Sequence, residues 1–570
     1  MIDDPRFQAS LRDLAARLDR PWDDVGREAM EGLAQLAARH DRVPIAAWRR
    51  FGAWLLRGYE LHADEQALAR LRRLDEQHTL VWLPSHRSYL DTWALPMALD
   101  RAGFPPYFAI GGANLDFWPF GDIARRTGLI FVRRNIQNDP VYRVVLRQYL
   151  AHLVRIRADF GWSIEGGRTR TGKLRPPRLG LLRYLSDAVA GDDRDDVLLV
   201  PVSIVWDGLQ EVPMMVAESA GRLKRPEDLR WLIEYSRRQG DARGRVHIDF
   251  GEPLPLRAKL DELAAEPEGR GHEIERVALE VSHRINCVTP VTTAAVLTLA
   301  LLAADRALTV DELVEHAGPI VAYLARRGAP LAGAARPDDR AHVVATLREL
   351  ADADAVVCVE GRTQVWAIGP GQHLVAAFYR NTAAHFLVGR AIAELVVARV
   401  GDVESADALD EGGREALRLR DLLKFEFFFA RRRIFVEEIR DEVALIRERP
   451  EPTVAPLILR PFLEAYEVVA DELAARPADD MLDEDEFLAA CLAVGRQWQL
   501  QRRIASSESV SLDLFRTAVR LAKARGLWEP AGPELTERRA AFAREISSTA
   551  DQVRALALAE RDVAHLVQAC

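Results

Sequence analysis

The chain has little cysteine. Cys287, Cys358, Cys491 and Cys570 are scattered through 570 residues with no C-x-x-C pair. That pattern excludes a disulfide framework and a thiolate zinc site, and it implies a reducing compartment. Histidine and cysteine clusters at metal-ligand spacing are missing as well, so neither a metal nor a resident cofactor is expected. Long apolar runs are also lacking. The longest uncharged stretch, Ile285 to Ala304, is interrupted by Asn286, Pro290 and four threonines, and its uniformly apolar part has the length of a buried helix rather than a bilayer span. The opening residues Met1-Ile2-Asp3-Asp4-Pro5 are acidic and lack the apolar core of a secretory signal, so a cytoplasmic protein is expected. No internal repeat is visible. What is present, 49% hydrophobic and 29% charged residues in a chain of this length, describes a well-packed protein of two or three domains.

The most informative stretch is Leu83-Pro84-Ser85-His86-Arg87-Ser88-Tyr89-Leu90-Asp91, which follows an apolar, strand-like run from Thr79. On one continuous helix, His86 and Asp91 would point roughly 140° apart. His86 must therefore precede a helix whose first turn carries Asp91, with Ser85 or Ser88 as candidate caps and the helix running to Leu99. The Asp91 carboxylate can then accept a hydrogen bond from one imidazole nitrogen and leave the other free to take a proton. The pair amounts to two-thirds of a Ser-His-Asp triad whose nucleophile comes from the substrate.

Positive charge is concentrated just beyond this stretch. From Gly121 to Arg183 there are fourteen Arg and Lys against four Asp and Glu, a balance of +10 in a chain whose net charge is −9. The segments Gly128-Leu129-Ile130-Phe131-Val132-Arg133-Arg134 and Ser163-Ile164-Glu165-Gly166-Gly167-Arg168-Thr169-Arg170-Thr171-Gly172-Lys173 lie inside it. Guanidinium forks match phosphate oxygens, and adjacent glycines let backbone N–H groups approach an anion, so a phosphorylated substrate is expected. Gly167 to Lys173 also fits GxxxxGK, the core of a P-loop, with Asp207 as a candidate acidic strand end. Leu174 nevertheless stands where a magnesium-binding Ser or Thr is required, and Pro176-Pro177 fall inside the helix such a loop needs.

Taken in order, the blocks SHRSYLD (Ser85 to Asp91), GLIFVRR (Gly128 to Arg134), IEGGRTRTGK (Ile164 to Lys173) and LLVPVSI (Leu198 to Ile204), with Asn114-Leu115-Asp116-Phe117-Trp118-Pro119 between the first two, resemble the glycerol-3-phosphate acyltransferase family. The likeness lies close to the bacterial membrane-associated sn-glycerol-3-phosphate 1-O-acyltransferases, with the dihydroxyacetone-phosphate acyltransferases related. It is strong from about Val81 to Asp207 and recurs faintly in Ile285 to Val291 and Tyr379 to His385. Val132 and Thr169 are small departures from the family pattern. The resemblance implies that His86 and Asp91 are catalytic and that Arg133, Arg134, Glu165, Gly166, Gly167 and Arg168 bind glycerol phosphate. Arg170 and Lys173 join that substrate-binding set, and Pro201 is implied on the acyl-donor side. The implied reaction moves a fatty acyl group from acyl-CoA or acyl carrier protein to the sn-1 hydroxyl of glycerol 3-phosphate, giving lysophosphatidic acid, the first step of phospholipid and triacylglycerol synthesis. Acylation of dihydroxyacetone phosphate or of a lysophospholipid, and a non-catalytic lipid-binding scaffold, stand as alternatives. Glu165 has two open roles, accepting the second glycerol hydroxyl or orienting Arg168.

The expected fold is a central mixed α/β acyltransferase domain flanked by helical domains. Residues 1–75 read as an N-terminal helical domain, 76–289 as the catalytic domain and 290–570 as a mainly helical C-terminal domain. Within the second, strands are expected at Thr79 to Leu83, Leu129 to Val132, Gly161 to Ile164, Val197 to Val205 and Val246 to Phe250. Pro267, Gly269 and Gly271 mark a looser stretch there. Trp48 to Leu61 reads as a helix with a Trp48, Phe51, Leu55, Tyr59 stripe and nearby arginines, suited to peripheral contact with the inner membrane surface. Phe425 to Phe429, followed by Arg431-Arg432-Arg433, is a second candidate. A hairpin is expected from Ala355 to Ile368. It resembles a winged-helix element, but seven Arg against ten Asp and Glu from Pro290 to Pro370 give no basic footprint, so nucleic acid is not an expected partner.

Overall fold

Eight short segments in the first half of the chain form one sheet: β1 (Tyr59–Ala63), β2 (Thr79–Pro84), β3 (Phe108–Gly112), β4 (Leu129–Val132), β5 (Phe160–Gly161), β6 (Val197–Trp206), β7 (Gly244–Phe250) and β8 (Leu254–Pro255). They come from a computed structural model that describes residues 4–113, 116, 120–133, 136, 138–190, 196–222, 229–239, 244–266, 270–304, 306–332, 339–401, 406–449 and 452–569, without the side chains of 229, 232, 238, 406, 407 and 560–569. The order is β1-β7-β6-β2-β5-β3-β4, with β8 also beside β6. β6, β2, β5, β3 and β4 run parallel, whereas β7 and β8 are antiparallel to β6. Parallel neighbours need crossovers, and the helices Asp91–Arg101, Pro140–Arg155 and Gly180–Ala190 supply them. All ten residues of β6 are buried, as the unbroken run Val197 to Trp206 requires of a strand covered on both faces. The mixed α/β class is therefore as the sequence pattern indicates.

Pro201 sits in the middle of β6, where a missing N–H would normally break a ladder. It falls where the antiparallel partner changes, Leu199 facing Leu254 of β8 and Val202 facing Phe250 of β7. The Pro201 carbonyl still accepts from the Gly251 N–H at 2.9 Å. The proline thus occupies a strand-exchange point, one of the few places a sheet interior tolerates it.

Two units emerge from the contacts. The first holds Met1–Arg168, Leu174–Trp206 and Arg225–Thr289; the second holds Thr169–Lys173, Asp207–Lys224 and Pro290–Cys570. The expected separate domain at 1–75 is corrected: its helices belong to the first unit, and β1 pairs with β7 along five residues. The expected helix across Trp48 to Leu61 also stops short, because the helix is Arg42–Leu55 and Tyr59 opens β1. Trp48 and Phe51 turn inward, with ring centroids 5.2 Å and 5.8 Å from Trp93. The opposite face, Val43 (79% exposed), Arg50 and Trp54 (44%), points outward. Pro267 and Gly269 lie outside the described residues.

The second unit is helical apart from β9 (Val357–Val359) and β10 (Val365–Ala367), an antiparallel pair at the expected hairpin. One apolar cluster runs through it from Val291 to Val553. The helix Thr293–Ala304 has its first nine residues buried in that unit, and among the described residues no helix is long and apolar enough to cross a membrane. The aromatic run Phe425 to Phe429 is core: Phe427 is buried against Phe462, while Arg520 and Arg420 lie over Phe425 and Phe429.

Candidate active site

Adjacent parallel strands β2 and β6 send their outgoing chains to opposite sides of the sheet, β2 toward β3 and β6 toward β7. Such a reversal leaves a crevice at the carboxyl ends of the strands, where α/β sheets commonly bind ligands. The loop Ser85 to Leu90 leaves β2 there, and Trp206 ends β6.

Asp91 is the first residue of its helix, preceded by Leu90 at the cap with no side-chain capping bond; neither Ser85 nor Ser88 caps it as expected. The carboxylate instead folds back over the loop. Its Oδ2 accepts the N–H groups of Arg87 and Ser88, both at 2.8 Å, and lies 3.0 Å from His86 Nδ1. Its Oδ1 accepts from the Trp206 indole at 2.9 Å. A carboxylate can only accept here, so Nδ1 carries the shared proton and Nε2 is the nitrogen able to take another. The Asp91 side chain is 6% exposed and that of His86 27%, so the imidazole is the open end of a closed network.

Glu165 binds backbone on two loops. It is buried, its Oε1 accepting the His86 N–H and its Oε2 the Arg175 N–H, each at 2.8 Å. Burial raises its carboxyl above the usual range, while the Arg175 N–H, the Arg87 charge and the His86 N–H oppose that rise. Glu165 therefore staples the His86 loop to the Gly-Gly-Arg loop. Arg87, hidden inside the His-Asp spacing, is the buried countercharge: burial lowers its affinity for a proton, and Glu165 and Asp91 oppose that fall without cancelling it. Its Nη1 donates to Ser85 Oγ at 2.7 Å and to the Ile204 carbonyl at 2.8 Å. Sequence reasoning missed Arg87 and Trp206. Both stand beside recognised motif positions, but only the β2–β6 pairing makes them partners of Asp91 and Glu165.

The expected anion ligands divide into groups. Gly166 adopts φ +66°, where a side chain would meet Arg178 Cγ, and a Cβ on Gly167 would lie 3.2 Å from Arg175 Nη1. The Arg168 guanidinium lies 3.4 Å from the centre of the Tyr89 ring, beside the His86 loop. Arg178, exposed next to Gly166, was not singled out in the sequence, and no carboxylate partner is recorded for it among the described residues. Arg133 donates to Gln35 at 3.0 and 2.6 Å and to Asp139 at 2.7 Å, with Tyr142 under its guanidinium. Arg134 lies outside the described residues, as do Asn114, Leu115, Phe117, Trp118 and Pro119, while Asp116 pairs with Arg125.

Arg170 and Lys173 pair with carboxylates that, like them, fall in the second unit. Arg170 binds Glu218 through Nε and Nη2 at 3.1 and 2.8 Å. Lys173 is buried against Glu426 between the rings of Phe427 and Phe462. No helix follows Lys173 before Gly180, which removes the phosphate cradle a P-loop requires. Pro201 is buried within the sheet, so its nearest role is the strand exchange described above.

Two family models match the chain: one described as Acyltransferase over residues 65–205 and one described as Glycerol-3-phosphate acyltransferase C-terminal region over 215–531. A protein named "Putative acyltransferase plsB1" from Mycobacterium bovis, and its namesake from Mycobacterium tuberculosis, are each 47% identical to it over 583 aligned positions, covering 98% of this chain and 93% of theirs. The crystal structure of the 1-acyl-sn-glycerophosphate (LPA) acyltransferase PlsC from Thermotoga maritima matches 42% of this chain and 78% of that one, with 15% identity and a TM-score of 0.25. Likeness to the mycobacterial proteins along nearly the whole chain, joined to a C-terminal family model spanning more than half of it, means that the chain belongs to the glycerol-3-phosphate acyltransferase family and is an acyltransferase.

Proposed function

We propose that the protein transfers a fatty acyl group from acyl-CoA or acyl carrier protein to the sn-1 hydroxyl of glycerol 3-phosphate, giving lysophosphatidic acid, the first step of phospholipid and triacylglycerol synthesis. The observation that carries this reading is His86, the open member of a buried network in which Asp91 holds Nδ1. His86 Nε2 takes the hydroxyl proton as the oxygen attacks the thioester carbonyl. The tetrahedral intermediate collapses with loss of thiolate, and the imidazolium, stabilised by Asp91, returns the proton to sulfur. No acyl-enzyme is needed, since the thioester is already activated. Arg168 and Arg178, on the loop that Glu165 ties to His86, are the guanidinium groups proposed to receive the acceptor phosphate. Fixing the acceptor turns an encounter of two substrates into a positioned reaction.

The decisive assay offers purified protein glycerol 3-phosphate and dihydroxyacetone phosphate, each with acyl-CoA and acyl carrier protein donors. Acylation of glycerol 3-phosphate at least tenfold faster than of the ketone is the expected result. Acylation confined to dihydroxyacetone phosphate or to a lysophospholipid would replace the acceptor assignment.

The proposed cellular position is the cytoplasmic membrane surface, with peripheral contact through the outward face of the helix Arg42–Leu55. Val43, Ala46, Ala47, Arg50 and Trp54 lie on that face, and Arg57 covers the Trp54 ring at 4.6 Å. An exposed tryptophan among arginines suits an anionic headgroup region. Co-sedimentation with anionic vesicles should fall for Trp54→Ala with Arg50→Ala; unchanged binding would move the contact elsewhere.

A further inference from the structure

We infer that the C-terminal region positions the acceptor-binding loop, through a grip on Thr169–Lys173 made by Asn381, Phe378 and Glu426, and that these residues govern acceptor use without touching either substrate. The inference rests on the reaction proposed above.

The chain enters the second unit directly after Arg168 and leaves it at Lys173. Within those five residues nearly every polar or conformational feature is held. Arg170 binds Glu218, and Asn381 Nδ2 donates to the Thr171 carbonyl at 2.8 Å. Gly172 has φ +81°, and a Cβ there would lie 1.9 Å from the Phe378 carbonyl oxygen. Lys173 pairs with Glu426, whose other oxygen accepts from Tyr466 at 3.3 Å, and the Phe462 ring lies 4.1 Å from its ammonium. Asn381 is itself fixed, because its Oδ1 accepts from Arg380, which also binds Glu508. Since arginine only donates, the Asn381 amide must aim its NH2 at Thr171.

A buried lysine–glutamate pair is a poor device for stability alone. Desolvating both charges is costly, and neutral replacements of similar volume are often tolerated or stabilising. What such a pair does well is specify one register. Here the register is that of the segment beginning one residue after Arg168, whose other side is fixed by the Glu165 staple. Asn381, Lys173 and Glu426 are therefore positioning residues, and displacement of a substrate-holding group by about 1 Å can lower activity roughly a hundredfold.

Two full-length variants test this. Lys173→Met combined with Glu426→Gln removes both buried charges together and keeps an acceptor for Tyr466. Asn381→Asp keeps the acceptor for Arg380 but sets an oxygen against the Thr171 carbonyl. Three readouts are taken: thermal unfolding, KM for glycerol 3-phosphate against KM for acyl-CoA, and hydrogen exchange of peptides spanning 165–175. The expected result is a folded protein, acceptor KM raised about tenfold or more, donor KM within about twofold, and faster exchange confined to that segment. If both KM values rise together, or a folded variant leaves acceptor KM and exchange unchanged, the grip is only structural and the inference falls. Should the wild-type chain fail to acylate glycerol 3-phosphate, the substrate reading fails separately. The exchange arm still decides the grip: unchanged protection overturns it, and protection lost only at 168–173 upholds it.

Discussion

The two ends of β2 carry the same charges and arrive at different states. At its carboxyl end stand two carboxylates and one arginine, Asp91, Glu165 and Arg87; near its amino end stand Asp75, Asp159 and Arg72. At the first end Asp91 accepts four donors and Glu165 two backbone N–H groups, while the fully buried Arg87 faces both. At the second, Arg72 is 40% exposed and bound to Asp75, and the hydrogen bonds recorded for Asp159 come from one backbone N–H, that of Leu80, and from Asp75 itself. Burial then pushes Asp159 up to about 8, so that it shares a proton with its neighbour. Burial raises Glu165 as well, but there two backbone N–H groups and the Arg87 charge oppose the rise, whereas Asp159 has a single backbone N–H against it. A charged Asp91 is what the proposed imidazolium needs.

The largest expected effect comes from removing the group that the site end exists to present. His86→Ala should lower acyl transfer by about a hundred- to ten-thousandfold, the usual contribution of a general base. Unfolding temperature should change little, because Asp91 keeps the Arg87, Ser88 and Trp206 donors. Near-normal turnover in the purified variant would end the assigned mechanism. Asp91→Asn strikes the comparison itself. An amide must turn its NH2 toward one of two groups of donors, so both activity and stability should drop, the latter by roughly 1–3 kcal/mol. Calorimetry beside the kinetics separates this from His86→Ala, where stability holds.

That contrast also marks how far sequence reasoning reaches. His86 and Asp91 meet across a strand-to-helix turn, a local geometry that spacing and one proline make readable. Glu165 and Trp206 reach the same point from 79 and 115 residues away, along strands whose order no spacing reveals. The buried strands β2 and β6 were legible as apolar runs. β1 is only five residues long and its Tyr59 continues the helical stripe of Trp48, Phe51 and Leu55, so it passes for more of that helix, while β3 ends in two glycines and passes for loop. Charge was the least readable feature. Nothing near Arg170 and Lys173 in the sequence announces the carboxylates Glu218 and Glu426 that pair with them, the latter from 253 residues further on.

Trp206→Phe sharpens the comparison by removing one donor and keeping the ring. Asp91 Oδ1 then loses its indole partner, which should lower kcat/KM about ten- to a hundred-and-fiftyfold, the worth of one hydrogen bond to a charged group. Steady-state kinetics with both substrates varied would measure it, and an unchanged kcat/KM would mean that the donors of Oδ2 alone suffice.

The smallest effect is expected at the other end of β2, and it appears in stability rather than activity. Because the folded-state value of Asp159 is raised from 3.8 to about 8, the folded chain holds a proton that the unfolded chain has released. That contribution to stability is fully present below about pH 4 and is lost progressively as pH rises through 8. Asp159→Asn imitates the protonated form, its oxygen accepting from Leu80 and its NH2 facing Asp75. Denaturant unfolding at several pH values should therefore find the variant close to the wild type near pH 5 and increasingly the more stable of the two as pH rises to 8.5, with activity unaltered. A variant less stable at every pH would mean that Asp159 is ionised and held by Arg72, and the two ends of the strand would then be alike.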